Sequence, residues 1–197
     1  KQVEAVLGKD SIALLPRLQI KKKSRRDQPM GSQSDDPRMV VRGHDPSWSV
    51  VDTPFSRYAE EVRSIKMAID VNRGVESNKI VGFTSSMPEE GKSTTSMAVA
   101  LLAAQANARV ILVDGDLRNP SLSRQFAPRA TIGLLEVISG NASLDDAICR
   151  DPVTNLAFLP TVLKSPLANS SEILASEAMK ELFERLRDQF DYIVVDL

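Results

Sequence analysis

Cysteine and histidine are almost missing from this 197-residue chain, which has one of each, Cys149 and His44. A lone thiol excludes an internal disulfide framework, and Cys149 reads as a core residue. A lone imidazole excludes a histidine cluster for metal or proton relay, so His44 reads as a solvated linker residue. Charge of one sign is also lacking: 25 basic and 26 acidic residues leave a net charge of -1, so no global field draws nucleic acid to the chain. No stretch approaches the roughly 20 continuous apolar residues of a membrane-spanning helix, and no signal-peptide pattern opens the sequence.

What is present suffices for one compact α/β domain with a tail, since 42% of the residues are apolar. Residues 1–52 have linker composition, rich in Pro, Ser, Asp and basic side chains, and are expected to be largely irregular. Within them Lys21-Lys22-Lys23-Ser24-Arg25-Arg26 is a compact basic run. It reads as a solvated linker or as a segment drawn to an anionic lipid leaflet. No aromatic residue is interleaved to stack bases, so no nucleic-acid partner is expected. Trp48, near Pro46 and Pro54, is a candidate for docking the linker onto the domain. The chain opens on Lys1 and stops at Tyr192-Ile193-Val194-Val195-Asp196-Leu197, which reads as a buried strand. It is therefore expected to be a piece of a longer polypeptide, with a C-terminally incomplete domain over 53–197.

Periodic structure starts at Ser56, a candidate cap for a helix to about Asn72 with Tyr58, Val62, Ile65 and Ile69 on one face. Strands are expected at Lys79 to Thr84, Arg109 to Asp114, Asn155 to Pro160 and Asp191 to Asp196. Helices are expected at Ser93 to Ala106, near Gly133 to Ser139, at Ser143 to Arg150 and at Ser171 to Gln189. Apolar strands alternating with amphipathic helices predict a mostly parallel sheet covered on both faces, a three-layer α/β sandwich.

Between the first strand and the second helix runs Ser85-Ser86-Met87-Pro88-Glu89-Glu90-Gly91-Lys92-Ser93-Thr94-Thr95. It matches the phosphate-loop pattern G-x-x-x-x-G-K-[ST] except at its first position, where Ser86 replaces glycine. In such a loop backbone N–H groups and the positive end of the following helix surround phosphate oxygens. Glu90, Gly91, Lys92, Ser93 and Thr94 are the candidate nucleotide contacts. Lys92 is expected on the β- and γ-phosphates and the Ser93 hydroxyl on magnesium. The negative charge that Glu89 and Glu90 bring here has no role in the pattern. Two further strands end in acids: Ile111-Leu112-Val113-Asp114-Gly115-Asp116, and Ile193-Val194-Val195-Asp196. Carboxylates at the mouth of a parallel sheet, beside a phosphate loop, are placed for magnesium or proton transfer.

Together Lys92 with Ser93, Asp114 and Asp116 followed by Arg118, and Asp196 resemble the Walker A, A′ and B motifs of the bacterial tyrosine autokinases. These belong to the wider MinD/ParA-like group of P-loop ATPases. The similarity runs from about Tyr58 to Leu197 and includes Asp116-Leu117-Arg118-Asn119-Pro120-Ser121 and Asn169-Ser170-Ser171-Glu172-Ile173-Leu174. It implies a P-loop fold and ATP with Mg²⁺ as cofactors, with Arg118 among the nucleotide contacts. Asp114 would help activate the attacking tyrosine hydroxyl, Asp116 would act on the metal, and Asp196 would hold Mg²⁺ through water. Glu60-x-x-Arg63-x-x-Lys66 is similar to the family's Glu-x-x-Arg-x-x-Arg oligomer motif, with lysine at the last position, and implies self-association into a ring. Val3 to Leu18 looks like the segment just after the second transmembrane helix of Wzc-type polysaccharide co-polymerases. That implies a membrane-spanning portion of the same polypeptide and a place at the cytoplasmic face of a bacterial inner membrane. The polysaccharide polymerase and export machinery and a tyrosine phosphatase would be its partners.

Three functions stay open at this point. One is a tyrosine autokinase that regulates the polymerisation, chain length and export of an exopolysaccharide or capsule. A second is an ATP-sensing assembly module without catalysis, against which intact Lys92, Ser93, Asp114 and Asp116 weigh. The third is a MinD/ParA-type positioning ATPase, disfavoured because Met87 stands where that group carries its signature lysine. The two tyrosines, Tyr58 and Tyr192, read as packing residues, so the main phosphoacceptor is expected outside this chain.

Overall fold

The computed structural model describes residues 11–18, 36–43, 45–71, 79–163, 165, 167 and 169–197. The basic run, His44 and the first eight residues of the stretch 3–18 lie outside the described residues. The strands are β1 (Lys79–Phe83), β2 (Val110–Asp114), β3 (Cys149–Arg150), β4 (Ala157–Leu159) and β5 (Tyr192–Asp196). They form one sheet in the order β1-β5-β2-β4-β3, parallel except for the antiparallel β3–β4 pair.

Strands β2 and β5 are buried along their whole length, as apolar strands covered on both faces must be. Successive side chains alternate between the faces, and the core splits accordingly. Val110, Leu112, Phe158, Tyr192 and Val194 face one cluster, and Ile111, Val113, Ala157, Leu159, Ile193 and Val195 face the other. The first cluster takes helices α2 (Arg57–Val71) and α3 (Lys92–Gln105), whose Ala98, Ala100 and Ala103 are small enough to bring α3 close to the sheet. The second takes α5 (Leu134–Ile138), α6 (Leu144–Ala147) and α8 (Glu177–Gln189), through Leu134, Val137, Leu144, Met179, Leu182 and Leu186. The remaining helices are α1 (Ser49–Asp52), α4 (Ser121–Phe126) and α7 (Ser170–Leu174). The three-layer sandwich expected from the sequence is the observed fold.

Three local expectations need correction. The helix expected over Ser143 to Arg150 stops at Ala147, and Cys149–Arg150 becomes an edge strand against Ala157 and Phe158. The helix expected from Ser171 to Gln189 is two helices, because the Ser176 hydroxyl accepts a bond from Met179 N–H (3.2 Å) and starts α8 afresh. The region 1–52 is not irregular throughout. Arg150 N–H donates to Arg38 O and Val40 N–H to Arg150 O, so residues 38–40 cover the β3 edge, and Val40, Trp48 and Val50 are buried in the first cluster. Burying each such apolar side chain is worth about 1.5–3 kcal/mol, which outweighs the local polarity that made the stretch look like linker.

Trp48 stacks edge-on against Phe126, with ring centroids 6.2 Å apart, and Arg42 lies 4.6 Å from the centroid of the indole. Arg42 also pairs with Asp52 at the surface. Arg42→Ala is expected to lower stability by about 1 kcal/mol, most of it from the cation–π contact, since an exposed ion pair adds little. The shift of the urea midpoint measures it; no shift would mean that the indole holds this segment without the guanidinium.

Candidate nucleotide site

Because β5 lies between β1 and β2, the ends of three strands meet at one level. Phe83 is opposite Asp196 on one side of β5, and Asp114 is opposite Asp196 on the other. The loop after β1 therefore opens directly above the two strand-terminal carboxylates, at the carboxyl edge of the sheet. The loop turns through two left-handed residues, Glu89 (φ 65°) and Gly91 (φ 88°). Gly91 accepts that conformation freely, whereas Glu89 carries a penalty of about 1 kcal/mol. Helix α3 then starts without any side-chain cap, so its first N–H groups are left for an anion.

Lys92 Nζ sits inside this cup, 3.1 Å from Asp116 Oδ2 and 3.7 Å from Asp196 Oδ2, and it also donates to Leu197 O. Ser93 Oγ donates to Asp196 Oδ2 at 2.7 Å, Ser121 Oγ donates to Ser93 Oγ at 3.2 Å, and Ser96 Oγ donates to Asp196 Oδ1 at 3.2 Å. Burial raises the Asp196 carboxyl above its ordinary range, against the pull of the Ser93 bond and Lys92. Among the described residues no three His, Cys, Asp or Glu side chains form a closed metal cage. That donor set fits magnesium, which is held by one or two carboxylates and keeps places for phosphate oxygens and water. Ser93 and Asp196 offer adjacent oxygens for it, with Asp116 across Lys92.

The structure brings Lys92, Ser93, Asp116 and Asp196 together as expected. Thr94 stands in the first turn of α3, and its carbonyl accepts from the Tyr58 hydroxyl at 3.4 Å. Arg118 lies on the rim, its Nε donating to Ser170 Oγ at 3.2 Å. Asp116 shapes this turn, since its Oδ1 accepts from Asn119 N–H at 2.9 Å and Arg118 N–H at 3.3 Å.

Two expectations change. Asp114 is fully buried, and its carboxylate is occupied: Oδ2 accepts from Ser123 N–H (2.9 Å) and Ser123 Oγ (2.6 Å), Oδ1 from Asp116 N–H (3.3 Å). Burial pushes its carboxyl up to about 6, with the Ser123 bonds acting the other way. Activation of a substrate hydroxyl by direct contact does not fit that position; Asp114 holds the end of β2 in place. Lys66, expected at a subunit interface, is folded inward. Asp70 (2.8 Å) and the Tyr192 hydroxyl (3.4 Å) hold its ammonium, because Asp70 lies one turn on and β5 starts beside them. Glu60 and Arg63 pair with each other at 2.7 Å and remain on the outer face of α2.

Sequence reasoning missed the hydroxyls around these acids, namely Ser96 and Ser123, which donate to the carboxylates, Ser121, which donates to Ser93, and Thr161. Thr161 N–H donates to Ser123 Oγ (2.7 Å) across 38 positions, and Thr161 Oγ1 donates to Asp114 O (2.6 Å). No local pattern marks such a pair. Only Ser121 fell within a quoted motif.

Comparison with known proteins matches residues 79–197 to the AAA domain family. The succinoglycan biosynthesis transport protein ExoP of Rhizobium meliloti is 40% identical over 149 residues, 75% of this chain and 19% of that protein. The tyrosine-protein kinase CpsD of Streptococcus agalactiae is 40% identical over 120 residues, 60% of this chain and 52% of that protein. The chain thus spans about a fifth of the first relative and half of the second. The kinase domain of the Escherichia coli tyrosine kinase ETK superposes with a TM-score of 0.79 at 24% identity, covering 100% of this chain and 71% of that one, and so shares the fold. With its phosphate loop, its acid-ended strands and a family model that matches residues 79–197, the chain belongs to the AAA domain family.

Proposed function

We propose that this chain is an ATP- and magnesium-dependent protein-tyrosine autokinase domain that regulates the polymerisation, chain length and export of an exopolysaccharide or capsule. The observation that carries the reading is the convergence of Lys92, Ser93, Asp116 and Asp196 at the carboxyl edge of the sheet, beneath an uncapped helix N-terminus.

In this reading the α3 amides and Lys92 bind the phosphates of ATP, with Glu90, Gly91 and Thr94 contributing main-chain contacts and Arg118 closing the rim. Lys92, paired here with two carboxylates, would pair with phosphate oxygens instead, leaving Asp116 and Asp196 available to a cation. Mg²⁺ held by Ser93, Asp116 and Asp196 supplies charge neutralisation on the transferring phosphoryl group. Asp116 is the carboxylate in reach of an incoming tyrosine hydroxyl, while Asp114 positions it through the Asp116 N–H bond. A cavity of about 410 Å³ beside the rim, lined by Arg118, Ser123, Arg124 and Thr161, offers room for the acceptor.

Tyr58 and Tyr192 are 3% and 5% exposed, which supports an acceptor outside this chain. Glu60 and Arg63 are the residues offered to a neighbouring copy in a ring, and Lys66 supports them from within. None of the described helices is long and apolar enough to cross a membrane. Attachment to an inner membrane at its cytoplasmic face, through a membrane-spanning portion of the same polypeptide, is proposed from kinship with a transport protein. So are a polysaccharide export partner and a resetting tyrosine phosphatase.

The test is transfer of labelled γ-phosphate from MgATP to a tyrosine-bearing acceptor polypeptide, scored by phosphoamino-acid analysis. Phosphotyrosine that vanishes on chelation of magnesium is the expected result. Tight ATP binding without any phosphotyrosine would replace this reading with the nucleotide-sensing module.

A further inference from the structure

The loop carries a feature that its phosphate-binding role does not use. The Glu90 carboxylate folds back across the loop, and its Oε2 accepts from Ser86 N–H at 3.0 Å, Met87 N–H at 3.1 Å and Ser86 Oγ at 3.3 Å. Ser86 is the position at which the sequence departs from the phosphate-loop pattern. Outside glycine, left-handed φ values among the described residues occur only at Glu89, Asn107 and Asn155, so Ser86 has ordinary backbone geometry and needs no glycine. Its side chain supplies a third donor to the carboxylate instead.

The strained residue, Glu89, lies within the short ring that these bonds close, from residue 86 or 87 round to 90. A non-glycine residue persists in the left-handed region only where its surroundings over-determine it. Here the surroundings are the Glu90 bonds on one side and the start of α3 at Lys92 on the other. Bonds to an ionised acceptor are about twice as strong as neutral ones, which suits a carboxylate for the task.

We propose that Glu90 is a positioning residue of the phosphate loop: its carboxylate ties the Ser86 and Met87 amides to the far limb, holds Glu89 left-handed, and so keeps the amides at Gly91 and beyond pre-aimed at phosphate. The proposal rests on the nucleotide-binding reading above. It gives the side chain of Glu90 a role distinct from main-chain phosphate contact, and it explains why serine serves where the pattern has glycine. Released from this tie, the loop must be ordered by the nucleotide itself, which weakens binding.

The experiment titrates the protein with a fluorescent N-methylanthraniloyl ATP and magnesium, and follows amide hydrogen exchange at Ser86 and Met87. Glu90→Ala is expected to weaken binding about tenfold, the size of effect that loss of bonds to one charged acceptor produces, and to deprotect both amides. Glu90→Gln, which keeps an acceptor oxygen, recovers most of the affinity. Adding Glu89→Gly to Glu90→Ala also recovers part of it, because glycine takes φ above zero without the tie. Binding by Glu90→Ala as tight as wild type or tighter overturns the proposal, since the carboxylate would then be idle or a competitor of phosphate. Weakened binding that neither second variant restores overturns it too, because charge and not loop geometry would be at work. Failure of the nucleotide reading looks different: wild type and Lys92→Met would then both leave the probe unbound, and the proposal falls with it.

Discussion

Lys92→Met is expected to reduce phosphoryl transfer about a thousandfold, with the protein still folded. The ammonium lies within 3.7 Å of both Asp116 and Asp196, so in the proposed function it is a cation set where the triphosphate charge would be accommodated. Removing one preorganised electrostatic contact to developing charge typically lowers kcat by about 10²–10³, and here ground-state phosphate binding suffers as well. Methionine has a comparable stem, so packing is preserved, while Asp196 loses its cation and keeps the Ser93 and Ser96 bonds. Labelling kinetics on the variant, beside a thermal melt that shows an intact domain, measure the effect. A rate within tenfold of wild type would mean that Lys92 does not reach the transferring group, and the assigned site would be wrong.

Gly133→Ala is expected to destabilise the fold by about 3 kcal/mol, a large fraction of the 5–15 kcal/mol that holds a typical domain together. Gly133 is extended, so its backbone conformation suits any residue, and the difficulty is space. An added Cβ would stand 2.2 Å from Pro160 O, the same carbonyl that accepts from Leu134 N–H at 2.7 Å. The two nearest obstacles, Pro160 O and C, are backbone, so either α5 or the segment after β4 must move. The next residue after Pro160 is Thr161, which bonds Ser123 and the Asp114 carbonyl. The shift therefore reaches the site, and slower phosphoryl transfer, if the proposed function holds, should accompany the lowered urea midpoint. A loss below about 0.5 kcal/mol would show that α5 docks loosely.

Legibility followed the range of the interactions. Strands β2 and β5 were readable because buried parallel strands are continuous apolar runs, and the acid that ends each marks the carboxyl edge of the sheet. The phosphate loop was readable because its chemistry is packed into a few consecutive residues. The split between α7 and α8 left a local trace, the capping Ser176, but the amphipathic pattern on both sides of it concealed the break. Strand β3 left none, since two residues carry no periodicity and Cys149–Arg150 become a strand only by pairing with β4 and residues 38–40.

The same rule divides the site. Lys66 is an interface residue by the resemblance of its helix to the family's oligomer motif. Tyr192 and Asp70 draw its half-buried ammonium inward, and Tyr192 is 126 positions away. Asp114 reads as a reactive carboxylate because it ends a strand, and Ser123 with Thr161 turns it into a brace.

By itself, then, the order of residues determined the layered α/β class, the phosphate loop at 85–95 and the identity of the acids that would serve it. Those follow from backbone propensity, periodicity and spacing, all local quantities. The tertiary structure alone decided which acids face the cleft, that Val40, Trp48 and Val50 belong to the core, and that Glu90 closes its own loop. The placing of the acids depends on which strand lies beside which: inserting β5 between β1 and β2 places Asp196 against Ser93 across 103 positions. Whether a carboxylate brings a cation, a hydroxyl or a buried brace is settled by that neighbourhood, because its free energy depends on the donors around it and on its distance from water.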